Sequence, residues 1–304
     1  MNKKILIAVL ICVCLTLIAG TVIRYTSVAH ISSTIRVSNN NQQSEKADES
    51  QMENAPVVSA KGAILIDASD GQIIFEKNAD QKLYPASTTK IMTSLVVFDI
   101  LGETQTDMDS CVIIPKEAVG VEGSSIYLKA GEKLTIRELM YGMMLQSGND
   151  AAAALAICCG GSMENFIDRM NQKALELGCE GTHFVNPNGL YDENHYTTAE
   201  DLALISMEAM KNQEFRQIVQ SEKWQSEKTD RVFVNKNKTI SQYEGATGIK
   251  IGYTRLSGRT LVASAKRGQT ELIAVVLDDS NWFNDAYNML DYGFSRQDVI
   301  SKQS

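Results

Sequence analysis

Apolar and polar positions divide the 304-residue chain into five stretches. Ile5 to Ile23 is apolar without a single charge, and the segment from His30 to Ala55 is polar with no regular period. From Val57 onward short alternating runs begin. "AILIDASDGQIIFEK" predicts two strands, Ala63–Asp67 and Gln72–Lys77, joined by a turn carrying Asp70-Gly71. Almost the same pattern returns near the end. "RTLVASAKRGQTELIAVVLD" predicts strands near Thr260–Ala265 and Glu271–Leu277, and "TGIKIGYT" a further strand ending in Gly252.

Between these ends the spacing is helical. Thr135-x-x-Glu138 is a capping box opening a helix from Ile136 to about Leu145. A second helix starts after Asn149 and ends at Gly160-Gly161, and Ser162 caps a third that runs to Leu177 and stops at Gly178. Thr198 and Asp201 open another, and "NWFNDAYNMLDYGF" predicts a closing amphipathic helix. Strands at both ends with helices between them give an α+β class. The terminal hairpins would share one antiparallel sheet, with a helical lobe inserted, and a cleft is expected where the two meet.

Composition changes this picture only at its edges. Apolar content of 44% permits a full core, and a net charge of −8 without a Lys/Arg cluster excludes a nucleic-acid partner. In a helix the nineteen residues Ile5–Ile23 would span roughly 28 Å, about one hydrocarbon layer. Lys3 and Lys4 precede them, so the remainder would be exported. Residues 1–25 therefore read as a membrane anchor or signal peptide. Ser27-Val28-Ala29 supplies the cleavage site of the second reading. Residues 26–55 read as a flexible polar tether and 56–304 as the folded domain.

Export makes disulfides possible for Cys111, Cys158, Cys159 and Cys179, but a bridge between helical neighbours is strained, and all four read as free buried thiols. His30, His183 and His195 fall in no metal-ligand or Cys-His spacing. His195 reads as structural, and Ser124 and Ser125 as turn and core-edge residues.

Candidate chemistry begins at "PASTTK". Ser87 and Lys90 share one helical face if a helix starts at the serine, which Pro85 favours. A helix N-terminus also stabilises the oxyanion made when a serine attacks a carbonyl. The following run is apolar nearly all round, so Lys90 sits at the start of a buried helix. "QSGND" places Ser147 and Asn149 in the break between two helices. "GIKIGYT" puts Lys250 on a strand before Gly252, where a substrate backbone can approach closely.

Ser-x-x-Lys, Ser-x-Asn and Lys-x-Gly in this order resemble the motif set of the serine penicillin-recognising enzymes. From about Val57 to Phe294 the chain is similar to their low-molecular-weight D-alanyl-D-alanine carboxypeptidases, peptidase family S11. The flanking text "AVGVEGSSIYLKAGEKLTIRELMYGMMLQSGNDAA" and "NPNGLYDENHYTTAEDLALI" carries that resemblance with the motifs. It implies a β-lactamase/transpeptidase-like fold and a substrate of peptidoglycan stem peptides ending in D-Ala-D-Ala. It also implies β-lactam inhibitors, a site at the outer face of the bacterial membrane, and no metal or organic cofactor. By resemblance Ser87 is the nucleophile, Lys90 its base and Ser147 the proton relay. Asn149, Lys250, Gly252, Tyr253 and Thr254 would bind substrate, with the Ser87 and Tyr253 amides as oxyanion hole.

Two departures stand out. Ile251 occupies the place of a hydroxyl residue that normally helps bind the substrate carboxylate, which predicts weaker carboxylate and β-lactam binding. Many relatives also continue into a β-rich domain, whereas this sequence ends at Ser304, so the N-terminal run would take over attachment. The competing readings are an idle penicillin-binding or sensor domain and a serine β-lactamase. The latter lacks its usual Glu-x-x-Leu-Asn here.

Overall fold

The computed structural model describes residues 55–303. In chain order they form β1 (Gly62–Asp67), β2 (Ile73–Lys77) and a turn of 3-10 helix, Ala86–Thr89, that runs into α1 (Lys90–Thr104). Strands β3 (Cys111–Ile113) and β4 (Lys133–Thr135) lead to α2 (Ile136–Leu145), α3 (Asn149–Gly160) and α4 (Met163–Glu176). Next come α5 (Ala199–Ala209), α6 (Gln213–Gln220), β5 (Lys223–Gln225), β6 (Val232–Val234) and the short α7 (Thr239–Gln242). The chain closes with β7 (Ala246–Thr254), β8 (Gly258–Arg267), β9 (Thr270–Leu277) and α8 (Trp282–Gln303).

Five strands from the two ends make one antiparallel sheet in the order β2-β1-β9-β8-β7. Their alternation buries two faces against different partners. Leu65, Leu261, Ala263, Leu272, Ala274 and Val276 pack under α8 with Met289, Leu290 and Phe294. Ile64, Ile66, Val262, Ile273 and Val275 face the helical lobe. At Gly293 of α8 a β-carbon would fall 2.6 Å from Leu272 Cδ1 and 2.8 Å from Leu65 Cδ2, so only glycine lets the helix seat this closely.

At the centre of the lobe, α1 and α3 are buried on nearly every side, and the small Ala151–Ala154 run lets the neighbouring helices approach α3. The Thr135 capping box forms as expected: its hydroxyl accepts from Glu138 N at 3.1 Å while Glu138 Oε2 accepts from Thr135 N at 2.9 Å. Ser162 and Thr198 cap α4 and α5.

The structure departs from expectation in several places. Ser87 does not begin an α-helix but sits in the 3-10 turn ahead of α1. The strand expected to end at Gly252 continues to Thr254, and α8 runs on to Gln303. Three-residue strands β3–β6 and the eight-residue α6 are too short to show a period. Cys158 and Cys159 are half-buried, Cys179 is buried, and Cys111 is exposed rather than buried; all four are free thiols. No helix of the described residues is long and apolar enough to cross a membrane, and the expected anchor, Ile5–Ile23, lies outside the described residues.

One buried carboxylate joins α3 to the loop before β4. Asp150 accepts from Ile126 N, Leu128 N and the Ser125 hydroxyl at 3.0, 3.1 and 2.6 Å. Asp150→Ala leaves these donors unpaired in the interior. It should cost about 3 kcal/mol and lower Tm by roughly 6–12 °C. Thermal unfolding followed by circular dichroism checks this; an unchanged Tm would mean that the loop does not depend on the carboxylate.

Candidate active site

The site is assembled at the meeting of the sheet and the lobe. In a 3-10 turn side chains three apart eclipse, and this places the Ser87 hydroxyl 2.9 Å from Lys90 Nζ. The preceding Ala86 has φ +50°, a left-handed conformation that a non-glycine residue adopts only under constraint. The constraint comes from both sides. Thr260 Oγ1 on β8 donates to the Pro85 carbonyl at 2.9 Å, and Gly189 (φ +85°) packs so tightly that a β-carbon there would overlap the Ala86 carbonyl. Strand β7 closes the third side, since a β-carbon on Gly252 would lie 2.7 Å from Ser87 N.

Lys90 is fully buried and no carboxylate accepts from it; its partners are Ser87 Oγ, Asn149 Oδ1 at 2.7 Å and the Asn188 carbonyl at 2.6 Å. Burial holds its pKa well below the usual 10.5 and the nearby Lys250 lowers it further, against an opposing pull from Asp150. A neutral amine has two N–H donors and one lone pair. Asn149 Oδ1 and the Asn188 carbonyl can only accept, so the lone pair is left for the one partner able to donate, the Ser87 hydroxyl.

Asn149 is engaged at both ends, its Nδ2 donating to the Glu122 carbonyl at 2.6 Å. Ser147, a buried residue, has φ +62° in the break between α2 and α3, and among the described residues its hydroxyl has no hydrogen-bond partner. Lys250 is buried, donates to its neighbour's carbonyl (Ile251) at 3.1 Å, and is pushed down to about 7 by burial and by Lys236.

Ser87, Asn149, Tyr253 and Thr254 line a cleft of about 560 Å³, together with Glu122, Asn188, Tyr191 and Arg255. Gly252, which approaches Ser87 N, and the buried Ser147 and Lys250 are not among its lining residues. A larger groove of about 680 Å³ between α1 and α4 has a self-paired rim, Arg169 with Glu103 and Lys173 with Asp99, and no nucleophile.

His195, expected to be structural, is buried with Nδ1 accepting from Val185 N at 3.1 Å and Nε2 2.8 Å from Thr89 Oγ1. Burial lowers its pKa to about 3, so it stays neutral with the proton on Nε2. Ser125 is tied to Asp150, as a core-edge residue would be. Ile251 packs half-buried against the apolar cluster under α8. Thr254 lines the cleft, but its hydroxyl pairs with Ser257 Oγ and accepts from Ser257 N at 3.0 Å. Asn188 was not expected at the site. Its place is set by the "NPNG" turn, in which Asn186 Oδ1 accepts from Gly189 N at 2.7 Å.

A serine hydroxyl facing a buried lysine whose pKa burial lowers, beside the Asn149 amide, the Asn188 carbonyl and an edge strand, is the arrangement that serine acyl transfer requires. The sequence profile of D-alanyl-D-alanine carboxypeptidases, peptidase S11, matches residues 49–281, and the chain belongs to this family. It is 39% identical over 246 residues to D-alanyl-D-alanine carboxypeptidase DacF of Bacillus subtilis, covering 79% of this chain and 63% of that protein. Against D-alanyl-D-alanine carboxypeptidase DacC of Escherichia coli it is 37% identical, covering 79% and 62%. This chain therefore spans just under two thirds of the length of these two curated relatives. Among solved structures, the DacD carboxypeptidase of Francisella tularensis superposes with a TM-score of 0.74 at 30% identity, covering 80% of this chain and 72% of that one. The Streptomyces K15 DD-transpeptidase gives 0.74 at 33% identity, covering 79% and 98%. The α+β fold is thus the one these DD-peptidases share.

If β7 must lie against the nucleophile, Gly252→Ala should slow covalent labelling of Ser87 by benzylpenicillin by tenfold or more, with the fold intact by circular dichroism (about 1.4 kcal/mol or more in the barrier). Intact-protein mass against time gives the rate; labelling at the normal rate would show that the close approach is dispensable.

Proposed function

We propose that this protein is a serine D-alanyl-D-alanine carboxypeptidase that removes the terminal D-alanine from peptidoglycan stem peptides. The observation that carries the reading is Lys90: buried, without a carboxylate partner, and 2.9 Å from the Ser87 hydroxyl.

Lys90 Nζ takes the Ser87 proton as Oγ attacks the carbonyl of the penultimate D-alanine. The amides of Ser87 and Tyr253 stabilise the oxyanion, which the edge position of β7 and its contact with Ser87 N support. Ser147, whose hydroxyl is uncommitted, passes the proton to the leaving nitrogen. The C–N bond breaks, D-alanine departs, and the acyl group remains on Ser87 until water, deprotonated by Lys90, releases it. Asn149 fixes Lys90 and flanks the acyl amide, Lys250 faces the terminal carboxylate, and Gly252 and Thr254 shape the strand beside it. A β-lactam enters by the same attack and stays on Ser87.

Two features speak against the β-lactamase reading: the stretch after Ser147 supplies the Asn188 carbonyl to Lys90, and it lacks the usual Glu-x-x-Leu-Asn. We assign the activity to the outer face of the bacterial membrane, with residues 5–23 as the anchor, 26–55 as tether and 56–304 as catalytic domain. The charge-free Ile5–Ile23 run behind Lys3 and Lys4 supports this.

Incubated with a peptide ending in D-Ala-D-Ala, the protein should release D-alanine, and Ser87→Ala should abolish release. Release that persists in the variant would remove Ser87 as nucleophile. Penicillin bound at Ser87 with no D-alanine released would favour the idle binding domain.

A further inference from the structure

The cleft has an unfilled requirement. A free C-terminal carboxylate is held by charged or hydrogen-bond donors on the wall beyond the nucleophile. At position 251 the side chain is apolar and packed toward α8. The Thr254 hydroxyl is committed to Ser257. Lys250 is buried and not among the lining residues, spends an N–H on the Ile251 carbonyl, and with its pKa pushed down to about 7 is only partly charged near neutral pH. Glu122, the acid on the wall, would repel a carboxylate.

Arg255 is the cation on the cleft wall, exposed, and among the described residues it has no hydrogen-bond or ion-pair partner. The turn that presents it is held on both sides: Thr254 N donates to Ser257 Oγ and Ser257 N to Thr254 Oγ1, each at 3.0 Å. Arg255 is the first residue after β7, at most about 10 Å beyond Gly252 along the chain, and lines the same cleft as Ser87. An arginine folded back along β7 brings its fork to about one residue's length from Ser87, where the terminal carboxylate of a bound D-Ala-D-Ala would lie. A guanidinium stays charged at any working pH and meets a carboxylate with two parallel N–H donors.

We propose that Arg255, on the β7–β8 turn, anchors the substrate's free C-terminal carboxylate in place of the hydroxyl that Ile251 lacks. This rests on the carboxypeptidase reading above and adds to it the residue that selects for a free carboxyl end.

The test compares detergent-solubilised full-length protein with Arg255→Gln on an acyl-D-Ala-D-Ala peptide and on the same peptide with a C-terminal amide. The wild type should prefer the acid. In Arg255→Gln that preference, as a ratio of kcat/KM values, should fall about tenfold to a hundredfold, chiefly through KM. Arg255→Lys should recover part of it, and Ile251→Thr added to Arg255→Gln should restore it by returning a hydroxyl. Acid and amide falling equally, or neither falling, overturns the assignment while leaving the carboxypeptidase standing. If the wild type acylates but does not turn over, the same ratio is read from Ser87 labelling by benzylpenicillin and by its methyl ester. With neither turnover nor acylation, the carboxypeptidase reading falls and the Arg255 assignment falls with it.

Discussion

Everything in this structure leans on one buried amine. Lys90 has its side chain entirely out of water, yet it is answered only by a hydroxyl, a side-chain amide and a backbone carbonyl. Keeping an ammonium there carries a desolvation cost that the pull of Asp150 only partly offsets, so burial favours the neutral amine. The surrounding elements enforce the geometry. The 3-10 turn brings Ser87 over the amine, the "NPNG" turn presents the Asn188 carbonyl, and α3 begins with Asn149 held to the Glu122 carbonyl.

The two halves of the fold divide the work. The helical lobe supplies the lysine, the Ser147 break and the asparagine from helix ends buried in one apolar mass, where small shifts are resisted by packing. The sheet supplies an edge strand whose glycine touches the nucleophile's amide. Because β1 pairs with β9, the first and last segments of the domain are bound into one sheet. The lobe inserted between them is thereby clamped against β7 and β8. The left-handed Ala86 and Ser147 mark where local backbone preference yields to this assembly.

Much of this was legible in the sequence, and the reasons are physical. The terminal strands alternate cleanly because each face meets a different core, and the Thr135, Ser162 and Thr198 caps advertise their helices. Ser87 and Lys90 could be placed on one face by their spacing, whereas Asn149 was joined to them through the family resemblance. Asn188 could not be placed, because it contributes a backbone carbonyl, which no side-chain pattern reveals. Arg255 belongs to none of the sequence motifs, and only its place on the cleft wall brings it to the site. The direction of Thr254 was likewise hidden until the turn that consumes its hydroxyl was seen.

The central claim is the protonation state of Lys90, and the most direct measurement is NMR of protein carrying 13Cε-labelled lysine, titrated across pH and assigned with Lys90→Arg. Lys90 should show the neutral-amine shift at pH 7 and take up its proton only well below the usual 10.5, in the direction its burial imposes. An ammonium signal at pH 7, titrating near 10.5 like a surface lysine, would contradict the account, because Ser87 would then have no base.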